Sequence, residues 1–521
     1  MHTPRSSVLA MAARKVLSFA VLVGVAMQLM PVAQAVPSYS RQYGQKCSAC
    51  HNPWGGLTPP GLTFKLSGYR AMNGKDLKPV NPEIEITKDL SLPGSLPLSI
   101  ITGVGLESRT EKRESNVGVT PGITTKGTTL ALEDLSIFLT SSMGKHFAYF
   151  IEFPMYETKA WEFTPTGNYE ARYNTAPDKQ IKHVTEIPSF EVAKFFWNNL
   201  FGESAPRDSV NLLAGITHPP LAYSPGKVRL SVNQYLVYER TGLDLISPRK
   251  VDDVVGGDPN DFIFRLSEPQ VLAEAFGMLT FGKPVTDVAK KDTLWAEYHI
   301  GISNGANGKA ANSSTPSMYG RLIFRYYGQS FGVFGWKSSD SYSDKIRATG
   351  SLAFNPTGNG IMSGLNNPNE VTRFGPDMTL SLAPWGIPVN MENQYMSNKE
   401  SNPTGFGKAM TWKGGFHQIN YRPSNIQALY VRYDYISGDA YDDTTVVLNA
   451  NRGITRSTPK ESDWIFGYQR MIQEHIKWVF EFRHHQFDDT ARGGVIPTLG
   501  AATNPARLTD DGFTLKCMFG F

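Results

Sequence analysis

The run Cys47-Ser48-Ala49-Cys50-His51 sets two thiols three positions apart and an imidazole directly after the second. Thiols at that spacing form thioethers with the vinyl groups of a c-type haem, and the adjoining imidazole reaches the iron as proximal ligand. Of the 3 cysteines in the chain, two fall in this one motif, which makes a chance match a poor explanation. A thioredoxin-like redox pair would leave His51 idle and has no βαβ pattern around it. A zinc site would need a second cysteine pair, which Cys517 alone does not supply. The expected cofactor is one covalently attached haem c, bound by Cys47 and Cys50, with His51 on the iron. Opposite His51, Met72 in Arg70-Ala71-Met72-Asn73-Gly74 is a candidate distal ligand, because Met against His is a high-potential pairing. An ordinary packing role for Met72 stays open beside it.

A site of this kind needs elements to hold it. Segment 36–92 is loop-rich: Trp54, Phe64 and Tyr69 are aromatics suited to pack on a haem, and Gly55-Gly56 and Pro59-Pro60-Gly61 read as turns. It is too short to wrap a haem as a free-standing cytochrome domain does, so the rest of the chain must cover the porphyrin. Ahead of it, Arg5, Arg14 and Lys15, the apolar run 16–30 and Ala33-Gln34-Ala35 read as a secretory signal peptide over 1–35. Export agrees with haem attachment outside the cytoplasmic membrane. The net charge of +4, with no basic cluster, argues against a nucleic-acid partner. No His-Glu-x-x-His and no phosphate-binding glycine loop occurs.

From 93 to 521 the sequence alternates. In 146–153, Phe147, Tyr149, Ile151 and Phe153 share one face, and His146, Ala148 and Glu152 the other. In 428–435, Leu429, Val431, Tyr433 and Tyr435 alternate with Ala428, Tyr430, Arg432 and Asp434; in 476–486, Ile476, Trp478, Phe480 and Phe482 alternate with Lys477, Glu481, Arg483 and His485. Leu322, Phe324 and Tyr326 likewise alternate with Arg321 and Arg325. Period two with one apolar face means half-buried strands. A water-soluble sandwich would point that face inward, a membrane barrel outward. Charges at mid-strand on the polar face suit a wet lumen, and aromatics on the other suit lipid. The alternation of Phe513, Leu515, Cys517, Phe519 and Phe521 up to a final aromatic is similar to the assembly signal of outer-membrane barrels.

Short turns near 143–144, 202–203, 282–283, 328–329, 385–386, 423–424 and 472–473 separate long stretches near 110–127, 158–186, 218–268, 304–317, 339–372, 399–409, 439–460 and 488–506. The expected fold is therefore mainly β: an outer-membrane antiparallel β-barrel of about 16 strands over 93–521, with both termini at the short-turn end. The haem segment then sits at the periplasmic mouth or in the lumen. Stretch 218–268 either contains a strand over 228–237 or folds inward as a constriction loop. Lumenal His146, His299, His417 and His485 rival Met72 for the iron, although each also reads as a polar lumen residue. Arg321, Arg325, Arg432 and Arg483 read as a lumenal charge ladder. Asp252, Asp253, Asp258 and Asp261, then Asp439, Asp442 and Asp443, offer loop oxygens to Fe(II) or another hard cation, or are simply solvated charge.

The stretch Arg41-x-x-Gly44-x-x-Cys47-x-x-Cys50-His51, followed by Gly61-x-x-Phe64-Lys65-x-x-Gly68-Tyr69, resembles the haem segment of the fused outer-membrane monohaem cytochrome c–porin family of iron-oxidising bacteria. In architecture the resemblance covers the whole chain; Pro59-Pro60-Gly61-Leu62 departs from the family's segment. It implies an outer-membrane protein of a Gram-negative bacterium that oxidises extracellular Fe(II) and passes electrons to periplasmic carriers. A periplasmic cytochrome c or copper protein would be the acceptor, and a homotrimer is a further expectation from porins of similar size. The barrel half also resembles phosphate-selective porins in layout. Two other readings stand beside it: a conduit for a different external donor or acceptor, and a transport channel whose haem segment is a plug.

Overall fold

The computed structural model describes residues 38–52, 56–87, 90–115, 123–157, 162–163, 181–182, 192–223, 230–242, 245, 265–284, 286, 292–304, 315–340, 369–403, 408–448, 452–456, 458–473, 475–488 and 505–520. Sixteen long strands close into one antiparallel barrel. In chain order they are β1 Leu98–Ser115, β2 Ile123–Met143, β3 Phe147–Glu157, β4 Val192–Trp197, β5 Asn211–Thr217, β6 Gln270–Leu279, β7 Trp295–Ser303 and β8 Ser317–Tyr326. They continue with β9 Gln329–Asp340, β10 Asn369–Ser381, β11 Val389–Glu400, β12 Met410–Ser424, β13 Gln427–Gly438, β14 Lys460–Gln473, β15 Ile476–Asp488 and β16 Pro505–Gly520. Each pairs with its neighbour in sequence, and β16 closes on β1 through Pro505↔Ser115 to Gly520↔Ile101.

The two faces are inverted relative to a soluble protein. Ile300 is 65% exposed and Met318 61%, whereas Arg432, Asp434 and Asp463 are 0% exposed. The strands thus present an apolar belt outward and bury their charges inward, which is the pattern of a barrel standing in lipid. Each expected short turn falls at or beside the junction of two consecutive strands, and β1 and β2 run longer than the pattern suggested, leaving only 116–122 between them. Stretch 439–460 holds a small hairpin, Tyr441–Leu448 with Arg452–Arg456, outside the barrel sheet.

Two features fill the lumen. The connection between β5 and β6 folds inward, settling the choice left open for 218–268, and no strand forms among its described residues. Instead a one-turn helix, Leu236–Glu239, lies against barrel strands with Leu236, Val237 and Tyr238 buried, and Tyr235 is stacked on Phe416 at 4.0 Å. Lumenal side chains bond its backbone: Asp434 accepts from Leu236 N–H (3.0 Å), Glu400 from Gly242 N–H (2.7 Å), and Arg432 donates to the Asn233 and Gln234 carbonyls (3.0 and 2.8 Å). The other filler is the N-terminal segment, which packs inside the short-turn end. It comprises α1 Ser38–Tyr43, α2 Cys47–Cys50 and α3 Pro59–Leu66. The Tyr43 hydroxyl meets Ser142 at 2.6 Å, and Asn211 Nδ2 donates to the Leu66 carbonyl at 3.3 Å, so strands β2 and β5 hold the plug from two sides.

Candidate functional site

Helix α2 is a single turn whose residues are Cys47 to Cys50, and it ends where His51 goes extended (φ −121°, ψ 156°). His51 N–H donates to the Cys47 carbonyl (2.8 Å), and a lone antiparallel bridge pairs His51 with Leu57. This bridge returns the chain so that Thr58 N–H bonds the Cys50 carbonyl at 2.9 Å. Thr58 then caps α3 by accepting from Gly61 N–H (3.1 Å), while its own hydroxyl donates to Ala49 O (2.6 Å). Pro59-Pro60 therefore opens a helix, where fixed φ and missing N–H groups cause no loss, and not the turn expected from composition. Gly61 is required by contact: a Cβ there would stand 2.2 Å from the Cys50 carbonyl oxygen, so α3 lies directly on the cysteine turn.

The far end of α3 is a Schellman cap. Gly68, at φ +63°, donates to Lys65 O (3.2 Å), and Tyr69 N–H donates to Phe64 O (2.8 Å). Tyr69 is also left-handed, at φ +62°, a conformation that costs a bulky residue about 1–2 kcal/mol. The reversal carries its ring into an aromatic group: it stacks on Tyr39 at 4.9 Å and Phe150 at 5.7 Å, and meets Phe196 edge-on at 5.3 Å. Phe64 joins the same group through Tyr39, at 5.3 Å. Trp54 and Gly55 lie outside the described residues.

The donor set meets the demands of haem c. Cys47 is buried, Cys50 half-buried, and no disulfide joins either to the other or to Cys517. Burial pushes the Cys50 thiol up to about 11, the opposite of the activated thiolate that a redox pair would need. Burial also pushes the His51 imidazole down to about 4, leaving the neutral form that ligates metal, and His51 Nδ1 is buried without a hydrogen-bond partner. Cys47 packs against Met471 at the end of β14 and Met518 near the end of β16. Met72 and Cys50 instead both pack against the main aromatic core. Two thioethers, Met471 and Met518, thus lie in the cluster around Cys47. Met471 and Met518 are invisible to local reading, being more than 400 positions away; their one signal is placement at strand ends beside the short turns.

The other residues singled out in the sequence fall elsewhere. His146 Nδ1 meets the Asn198 carbonyl (3.0 Å) and His417 Nδ1 the Asn393 amide oxygen (2.8 Å). His299 bridges Glu274 and Glu297 at 2.8 and 2.9 Å, and His485 bridges Asp463 and Glu461 at 2.8 and 3.3 Å. His299 and His485 are occupied in lumenal networks and His146 at the rim, whereas His417 shares the outward face of β12 with Ile419 and Tyr421 and so is not the lumenal residue expected. The four arginines form the expected inward charge ladder: Arg321 with Asp377 (2.9 Å), Arg325 with Glu297 (2.8 Å), Arg432 with Asp434 (2.8 Å) and Arg483 with Asp463 (2.8 Å). Asp252, Asp253, Asp258 and Asp261 lie outside the described residues. Asp439 is exposed just beyond β13; of Asp442 and Asp443 only the backbone pairing in the external hairpin is described. Among the described residues no cluster of metal-ligating side chains is arranged to hold an ion.

No family model and no curated protein matches the sequence. Among solved structures, the chain is similar to the outer-membrane channel DcaP of Acinetobacter baumannii, at 10% identity and a TM-score of 0.43, over 84% of this chain and 99% of that one. An anion-selective porin from Comamonas acidovorans matches at 8% identity and a TM-score of 0.42, over 81% and 99% of the two chains. A loop-deletion form of the outer-membrane protein OmpT of Vibrio cholerae matches at 9% and 0.39, over 81% and 99%.

Proposed function

We propose that this chain is an outer-membrane electron-transfer protein that carries one c-type haem in the mouth of its barrel, accepts electrons from extracellular Fe(II) and yields them to a periplasmic cytochrome c or copper protein. The observation that carries the reading is the combination of the Cys47–Cys50–His51 turn with a lumen occupied from both ends. A haem there supplies reversible one-electron chemistry whose potential follows from axial ligand, burial and neighbouring charge. Cys47 and Cys50 would anchor it, and His51 would offer a neutral nitrogen to the iron. Met72, Met471 and Met518 are the thioethers that could supply a sulfur ligand. The plug and the inward loop exclude bulk water, and the paired arginines and carboxylates hold the wall in shape without leaving a net column of one sign. A single redox centre cannot by itself cross a hydrocarbon layer of about 30 Å, so a centre drawn into the barrel is what a conduit of this size demands. Fe(II) as donor rests on the likeness of the haem segment.

The test is anaerobic reduction of the purified, haem-loaded barrel in detergent by Fe(II), followed by absorbance. Rapid reduction followed by reoxidation on adding a periplasmic cytochrome or copper protein is the expected result. If Fe(II) leaves the absorbance unchanged while a strong reductant alters it, iron is not the donor. A second reading, a solute channel whose haem segment is a plug, is favoured by the charged lumenal lining; stable conductance of the intact protein in a planar bilayer would select it.

A further inference from the structure

Most charges inside the barrel are matched, which makes two unmatched ones informative. Lys65, on α3 of the plug, and Lys194, on β4 of the wall, have no ion-pair or hydrogen-bond partner among the described residues. Lys194 faces inward with Val192 and Phe196, the outward positions being Phe195 and Trp197. Its ammonium lies over three rings, 5.0 Å from the centroid of Phe150, 5.6 Å from Phe196 and 6.0 Å from Tyr69. Rings stabilise a cation through their faces but leave its N–H donors unsatisfied. Lys65 stands within electrostatic reach of both Lys194 and Tyr69, and burial together with the Lys194 charge pushes its own ammonium down. The Tyr69 hydroxyl has no hydrogen-bond partner among the described residues, and burial holds it up at about 12, so it remains a donor at neutral pH.

The neighbouring carboxylates do not supply the missing anion. Glu274 accepts from His299 (2.8 Å) and from the Tyr319 hydroxyl (2.9 Å). Glu297 is taken by His299 (2.9 Å) and Arg325 (2.8 Å). Two like charges brought together inside a protein, beside a free hydroxyl and with nearby acids already engaged, disfavour the protein alone and favour it with an anion between them.

We propose that Lys65, Lys194 and the Tyr69 hydroxyl form an oxyanion site in the lumen, one that takes a carboxylate or phosphate group. The strained left-handed backbone at Tyr69 fits such a role, since the reversal is what carries a ring of the plug under the ammonium of the wall lysine. Two sources of that chemistry are possible: a propionate of the haem, which rests on the function proposed above, or a free anion entering the lumen.

Infrared spectroscopy of full-length protein loaded with haem labelled at its carboxylates, together with equilibrium dialysis of inorganic phosphate, separates them. A propionate occupant predicts that Lys65→Gln and Lys194→Gln shift the labelled carboxylate band, and that phosphate binds only the haem-free Cys47→Ala/Cys50→Ala protein. A free anion predicts phosphate binding to both forms with no band shift. In either case each Gln change weakens phosphate binding to the haem-free protein by about tenfold or more, and Lys→Arg restores it. Folded barrel is verified in each variant by its heat-modifiable gel mobility. The proposal is overturned if the haem-free protein binds phosphate no better than the double Gln variant and the band does not move. Should no haem attach at all, the electron-transfer reading fails, while the phosphate measurement still decides the lysines.

Discussion

At the scale of single residues, the haem turn is a place where local spacing and distant packing meet. The Cys-x-x-Cys-His spacing is legible because attachment chemistry needs those residues at those intervals and nothing else in the chain imitates them. The distant thioethers beside this turn are not legible, because Met471 and Met518 join the Cys47 cluster only once the barrel closes. Met72→Leu, Met471→Leu and Met518→Leu test the three candidate ligands: the change that removes a sulfur ligand abolishes the sulfur-to-iron charge-transfer band of the oxidised, haem-loaded protein and lowers its midpoint potential, and the others leave both in place. Gly68 makes a second prediction. A Cβ there would stand 2.1 Å from the Asn198 amide, at a φ of +63°. Gly68→Ala should therefore destabilise the plug by about 1 kcal/mol or more from backbone strain alone, seen as faster proteolysis of the N-terminal segment while the barrel stays resistant.

At the scale of elements, the strands declare themselves because each has one lipid side and one lumen side, and that division writes a period of two. On β13, Leu429 and Val431 point outward and Arg432 and Asp434 inward, which shows it in six residues. The inward loop has no such local rule. Leu236, Val237 and Tyr238 are as apolar as a strand, and only tertiary contacts decide that they coil inward: Tyr235 and Tyr238 meet Phe416, Leu236 N–H bonds Asp434, and the flanking Gly242 and Asn233 bond Glu400 and Arg432. Arg432 is the pivot: it is fully buried, paired to Asp434, and donates to two loop carbonyls. Arg432→Met leaves Asp434 buried and uncompensated, a loss of about 3–5 kcal/mol. The measurable outcome is a lower urea midpoint for the barrel together with exposure of the loop to protease. The double change Arg432→Met/Asp434→Leu should recover most of the midpoint but not the loop's protection.

For the whole molecule, the packed lumen makes the strongest forecast. Intact protein in a planar bilayer should pass little current, because plug and loop occupy the bore. Deleting 224–242 should open stable steps of conductance while haem attachment, at the other end, persists. Large currents from the intact protein would instead favour the channel reading.

Closure of β16 on β1 also imposes an order in time. The strand that begins the barrel follows the haem segment, and the strand that completes it brings Met518 onto Cys47, which is then only 6% exposed. If haem is attached here as proposed above, the enzyme that joins porphyrin to this cysteine has to reach a sulfur that closure leaves almost covered. The proposal therefore predicts an order of maturation: covalent loading first, while the chain is still open in transit, and insertion afterwards. A barrel that folds bare is a dead end, and supplying haem and attachment machinery to pre-folded protein should yield no covalent product, whereas the same chain offered unfolded should become labelled.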